Sequence, residues 1–328
     1  MSTISKRERI LNALNNKPVD RVPVGFWFHF LSPHEFFQGL EKPELIEQNI
    51  AAHKKFIEDT DPDFIKIISD GYFGYPNEVD KELKSAADLR KIKPLGKAHP
   101  WIQGQVELTK AVVDFSKGAS AFYNVFSPAT LLRFAITDEK FFAYFSEDPE
   151  AVAYALDVIA QDNATLVKLV IEEAGAEGIY LCVKNPGNGI GYDDYRTYIT
   201  PSEKFVLARA NEASPNNILH CCGYDEVKNN LEVWKDYDAK AFNWATAIEN
   251  VGIAEGKKFF GDKAVLGGFD NRSGKILHAG TKEEIEAFTE ALIQEAGKIG
   301  VILGADCTVP SDIALERLQW VKDKVSSL

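Results

Sequence analysis

Eight short apolar runs, rich in β-branched and aromatic residues, recur along the chain with longer amphipathic segments between them. The runs are Val22–Phe30, Phe64–Ser69, Ala119–Phe126, Gly178–Val183, Asn217–Cys222, Ala239–Trp244, Ala264–Phe269 and Gly300–Ala305. Between them lie helical patterns such as Pro43–Asp59, Asp148–Ala174, Pro201–Ala213, Asp225–Trp234 and Lys282–Lys298. Strands alternating with helices imply right-handed crossovers and a parallel sheet. Eight such units in 328 residues favour a closed (β/α)8 TIM barrel of the α/β class. A doubly wound open sheet is the weaker reading, because the count closes a barrel without remainder.

The helical extension Lys6–Leu14 is expected to cap the barrel, and Gly71–Gln105 reads as a lid or rim. A final helix is expected over Ser311–Val325, with Ser311 or Asp312 as its N-cap. No low-complexity linker interrupts the pattern, so residues 1–328 read as a single domain.

Charge and cysteine use narrow the function. A formal net charge of −12 argues against a nucleic-acid partner, which needs a basic surface. The polar start of the chain lacks a secretory apolar stretch, and no apolar run reaches the length of a membrane span. Cys182, Cys221, Cys222 and Cys307 are too sparse for a disulfide framework, so a cytoplasmic setting with reduced thiols is expected.

In such a barrel, reactive groups gather where strands end and βα loops begin. Those positions hold His29, Asp70, Lys184, Asn185, His220, Cys222, Asn243, Asp270, Arg272, Asp306 and Cys307. The sharpest group is Leu219-His220-Cys221-Cys222-Gly223. Side chains alternate along a strand, so His220 and Cys222 share one face and Cys221 takes the other. Cys307, after the last run, offers a third soft ligand at the same mouth, and three ligands with an open fourth position make a catalytic zinc pattern. Spacing alone leaves the plainer reading open: buried cysteines and a strand-end histidine serving a backbone group. Cys182 lies inside a strand and reads as core. His29, among aromatics in Gly25-Phe26-Trp27-Phe28-His29-Phe30, reads as a packed histidine or, at the mouth, a substrate contact. Asp70 could orient substrate, move a proton, or cap the next turn. Gly187-Asn188-Gly189-Ile190-Gly191 lacks dinucleotide spacing and reads as a flexible active-site loop.

Several stretches in order resemble the uroporphyrinogen decarboxylase superfamily: Arg7-Glu8-Arg9-Ile10-Leu11-Asn12-Ala13-Leu14, Pro18-Val19-Asp20-Arg21-Val22-Pro23-Val24, Ile68-Ser69-Asp70, Phe126-Ser127-Pro128-Ala129-Thr130, Gly267-Gly268-Phe269-Asp270-Asn271-Arg272, and Cys307 to Pro310. The resemblance implies a (β/α)8 barrel. Porphyrin decarboxylases carry an arginine-rich segment at the end of strand one, whereas no Lys or Arg occurs here between Arg21 and Lys42. A substrate bearing many carboxylates needs such cations. The decarboxylase tyrosine after strand three appears as Phe134, its late histidine falls near Ala305 or Asp306, and only its aspartate remains, as Asp70.

The other branch comprises corrinoid-dependent, thiol-directed methyltransferases, whose His-x-Cys and distant Cys zinc ligands match His220, Cys222 and Cys307. That resemblance implies a zinc-dependent methyltransferase moving a methyl group from a corrinoid, usually on a separate small protein, to a thiol. Asp70 and Asn243 would then act on the substrate as catalytic groups, with His29, Arg133, Lys184 and Arg272 as substrate-binding residues. Two alternatives stand beside it: a divergent decarboxylase of porphyrin or smaller acids, and a non-catalytic corrinoid- or tetrapyrrole-binding barrel.

Overall fold

The structure is a computed structural model that describes residues 4–77, 83–185 and 189–328. Part of the expected lid (78–82) and of the glycine-rich loop (Gly187, Asn188) lies outside the described residues. Seven strands form one parallel sheet in sequence order. They are β1 (Phe64–Ile67), β2 (Ser120–Phe126), β3 (Gly178–Val183), β4 (Ile218–Cys221), β5 (Ala241–Trp244), β6 (Ala264–Phe269) and β7 (Val301–Ala305). They correspond to the second through eighth expected runs.

The first expected strand, Val22–Phe30, does not form as one, and the expected eight strands become seven among the described residues. Only Val24 makes a parallel bridge, to Leu303. The cause lies in where the backbone donors go. Pro23 has no N–H. The Val24 N–H goes to the Asp63 carboxylate at 3.0 Å, and those of Phe30 and Leu31 go to Asp70 Oδ2 at 2.8 and 3.2 Å. Side-chain acceptors thus take donors that a ladder would need. The segment still touches both sheet edges: Gly25 N–H donates to Leu303 O, Leu303 N–H to Pro23 O, and Asp63 N–H to Val24 O.

Alternation along the strands separates two cores. Phe64, Ile68, Phe122, Tyr180, Cys182, Ile218, Ala241, Ala264, Leu266 and Ile302 pack together with Trp27 on one face of the curled sheet. Ile65, Ile67, Tyr123, Val125, Ile179, Leu181, Leu219, Phe242, Val265 and Leu303 meet the surrounding helices on the other. A sheet buried on both faces is what an all-parallel arrangement requires. The helix Lys6–Leu14, capped by Ser5, adds Ile10, Ala13 and Leu14 to the inner cluster.

A charge network ties that helix to the sheet. Arg9 grips Asp20 through two bonds of 2.7 and 2.8 Å and donates to Asp63 at 2.8 Å. Arg21 donates twice to the same Asp63, at 2.6 and 2.9 Å. The Arg9 hydrogen bond holds the Asp20 carboxyl down at about 2.

Two expected helices differ. Asp225–Trp234 is replaced by short 3-10 turns at Tyr224–Glu226 and Leu231–Trp234. Asn229 and Asn230 break it: the Asn229 side chain bonds Asn185 N and Cys222 O, and Asn230 caps the second turn. The final helix runs Leu315–Ser327 with Ala314 as its N-cap, because Pro310 O accepts Ile313 N–H in a turn that uses Ser311 and Asp312. Among the described residues no helix is long and apolar enough to cross a membrane.

Candidate metal centre

Three side chains from two strand ends converge. His220 lies on β4 on the inward spacing, and Cys221 points outward into the helix-facing core. Beyond the strand, Cys222 N–H still donates to Val183 O, so its thiol stays on the His220 side. Cys307 follows β7. Its loop starts at Asp306, whose N–H donates to Phe269 O and whose buried carboxylate accepts from Thr246 Oγ1 and Ala247 N–H. Burial pushes the Asp306 carboxyl up to about 7.

His220, Cys222 and Cys307 offer ligand atoms that all lie within 4.8 Å of one another. The two sulfurs are 4.0 Å apart, and Cys307 Sγ lies 3.5 Å from His220 Nε2. Tetrahedral zinc at ordinary bond lengths spaces two sulfurs by about 3.8 Å and a sulfur and nitrogen by about 3.5 Å. The donor set therefore fits zinc. The two thiols share a hydrogen bond, which holds Cys307 well below the ordinary thiol range and drives Cys222 well above it. The first thiolate of the pair forms readily and the second does not.

Asn243, on β5 and wholly buried, sets the histidine. Its Nδ2 donates to Leu266 O at 2.8 Å and Ala305 O at 3.3 Å, which fixes the amide so that Oδ1 is the acceptor. Oδ1 accepts from Tyr180 O–H at 2.5 Å and from His220 Nδ1. His220 must then carry its proton on Nδ1, leaving the Nε2 lone pair toward the cysteines. Asn243, expected as a catalytic group on the substrate, is bonded here to the His220 ring.

The remaining candidates divide. Asp70 is fully buried: Oδ1 faces His29 Nδ1 at 2.7 Å, and Oδ2 takes two backbone N–H groups. His29 packs on Phe36 and Phe73 and is 32% exposed. Arg133 and Lys184 line one pocket with Phe142, Asn185 and Tyr195. Arg133 is engaged in a two-bond pair with Asp138, and Lys184 Nζ lies 4.8 Å from the centre of the Tyr224 ring. Arg272 stands apart from that pocket, paired with Asp270 and, across the mouth, with Glu226. Cys182 is a buried thiol, raised to about 11 by burial, 3.0 Å from Asn124 Oδ1.

Patterning along the chain does not single out Lys66 or Tyr180. Lys66 is buried on β1, its ammonium 4.2 Å from the Tyr180 ring centre and 3.8 Å from Cys182 Sγ. The signal was a lysine on the inward spacing of Phe64-Ile65-Lys66-Ile67-Ile68. Tyr180 also packs against His220 at 5.3 Å between ring centres, so one ring touches both the ammonium and the histidine.

Solved structures share the fold. A methyltransferase from Methanosarcina mazei superposes with a TM-score of 0.71 at 16% identity, over 99% of both chains. A B12-independent methionine synthase from Shewanella sp. W3-18-1, in complex with selenomethionine, gives 0.57 at 12% identity, over 93% of this chain and 97% of that one. No curated protein matches the chain. The family model described as Uroporphyrinogen decarboxylase (URO-D) matches residues 73–328, most of the chain and both cysteine-bearing loops, and the protein belongs to that family.

Proposed function

We propose that the protein is a zinc-dependent methyltransferase that moves a methyl group from a corrinoid, or a corrinoid protein, to a thiol. The observation that carries this reading is the spacing of His220, Cys222 and Cys307, with Asn243 holding the histidine in the ligating tautomer. Bound there, zinc would keep a substrate sulfur in the thiolate form, the nucleophile that methyl transfer needs. The methyltransferase and methionine synthase names of the two similar structures agree with the methyl-transfer part of this reading; the synthase is B12-independent and lends no support to the corrinoid donor.

The chain's own residues supply the surroundings. The mouth beside β1 and β2 is lined by Phe36, Phe73, Phe126 and Phe134, packed ring on ring. Such a wall suits the apolar face of a macrocycle better than the carboxylates of a porphyrin acid, and it has no cation between Arg21 and Lys42. In this reading Lys184, with Arg133 held beside it by Asp138 in the same pocket, would receive an anionic tail of the thiol.

The test is metal content and ligation. Protein prepared without chelator should hold about one zinc per chain with mixed sulfur and nitrogen ligands by X-ray absorption. It should demethylate methylcobalamin in the presence of a suitable thiol. Full zinc content in a Cys222→Ala, Cys307→Ala double variant would overturn the assignment.

A further inference from the structure

We infer that His29, oriented by Asp70, is the proton acceptor of this site: it takes the proton of the incoming thiol through Nε2. The inference rests on the thiol reading above and adds a residue to it.

The geometry begins with the backbone. Gly25 and Trp27 face the inner side of the sheet: a Cβ at Gly25 would meet Phe64, and Trp27 belongs to the inner cluster. His29 is two residues further on, at the end where the strands finish. The Cys307 loop runs alongside, because Val309 N–H donates to Trp27 O at 3.0 Å. His29 therefore follows the stretch against which the Cys307 loop is laid, at the same end of the sheet as the candidate ligand cluster.

Its ring is held rather than loose. Asp70 is wholly buried, and its Oδ2 is filled by the N–H groups of Phe30 and Leu31, which leaves Oδ1 for His29 Nδ1 alone. Phe36 and Phe73 clasp the ring at 4.4 and 5.7 Å between centres. A carboxylate accepting at Nδ1 fixes the proton there, so Nε2 is the basic nitrogen. Nε2 has no hydrogen-bond partner among the described residues, while the ring is about one-third exposed. Among the described residues Asp70 is the only charged group bonded to His29. The nearby Glu35 is turned back onto Ser32, and His53, buried and held down near 4, stays neutral. In the step inferred, the S–H bond breaks, its electron pair stays on sulfur, and an N–H bond forms at Nε2. After methyl transfer to the sulfur, the proton leaves His29 for solvent. Asp70 is a positioning residue throughout.

Two measurements on the zinc-loaded full chain test this. Calorimetry of 2-mercaptoethanol and related monothiols in buffers of different ionisation enthalpy counts protons released on binding. Wild type should release clearly fewer than one, while His29→Gln should release about one with zinc content unchanged. Nitrogen-15 spectra should show neutral His29 protonated at Nδ1, and Asp70→Asn should shift that tautomer balance. Equal proton release by the two proteins, or an Nε2–H tautomer in wild type, overturns the role of His29 alone. If the zinc-loaded wild type binds no thiol, the thiol reading falls and this inference falls with it.

Discussion

Asn243 Oδ1 accepts from His220 Nδ1, and the amide cannot turn over because its Nδ2 is committed to Leu266 O and Ala305 O. The tautomer of His220 is thus decided by two backbone carbonyls on β6 and β7. Removing the amide should free the ring and orphan the Tyr180 hydroxyl. Asn243→Ala is expected to lower zinc affinity about 10- to 100-fold, the usual effect of losing a group that orients a metal ligand. Competition with a chromophoric chelator reads this directly. Tyr180→Phe, which leaves the amide in place, should change affinity much less.

Gly267 supports the same amide from behind. Its φ is +139°, a conformation that side chains rarely adopt, and a Cβ there would lie 3.1 Å from Asn243 Nδ2. Gly267→Ala should destabilise the fold by about 1–3 kcal/mol through backbone strain. Chemical denaturation measures the loss. Zinc affinity should fall too, because the displaced neighbour is the group that fixes His220.

What the chain reveals in advance follows from range. Seven strands and the convergence of His220, Cys222 and Cys307 were legible, because alternation and strand ends are local patterns. Cys222 and Cys307 stand 85 residues apart, yet a barrel mouth is where all strand ends meet. The failed first strand was not legible, since its donors are taken by Asp63 and Asp70 some 40 residues away, which no local pattern encodes. The dyad of His29 and Asp70 is hidden for the same reason: each looked like an isolated polar residue after an apolar run. The helix expected at Asp225–Trp234 failed through side chains, with Asn229 serving the backbone of two other loops.

Arg9, Asp20 and Arg21, among the stretches that mark the superfamily resemblance, turn out to bear on stability. Asp63 is wholly buried between the guanidinium groups of Arg9 and Arg21. Asp63→Asn leaves two cations facing a neutral amide and should cost about 3–5 kcal/mol, the range for breaking a buried pair by losing one partner. Urea unfolding of the variant checks it. Asp20 adds an acid dependence. Its folded carboxyl is lowered to about 2, so its contribution is present above the ordinary carboxylate range and is lost as pH falls toward 2. Asp20→Asn should flatten that acid limb.

Glu203 has the opposite sign. It is buried in the helix Thr200–Ala213, where its carboxylate accepts from Tyr195 O–H at 2.9 Å and Tyr237 O–H at 2.8 Å, with Trp234 Nε1 at 3.4 Å. Burial nevertheless outweighs those donors and raises its carboxyl to about 7. Between the ordinary carboxyl range and 7 the folded state holds a proton that the unfolded chain has released. Stability should therefore decline as pH rises through that window and level off above it. Glu203→Gln keeps the shape, lets the amide oxygen accept from Tyr237 and Trp234, and removes the titration. The variant is expected to lose this part of the decline between pH 5 and 7 and to be more stable than wild type at pH 8. Thermal unfolding at a series of pH values decides it: parallel profiles for the two proteins would mean that Glu203 is ionised throughout and that its three donors outweigh the burial.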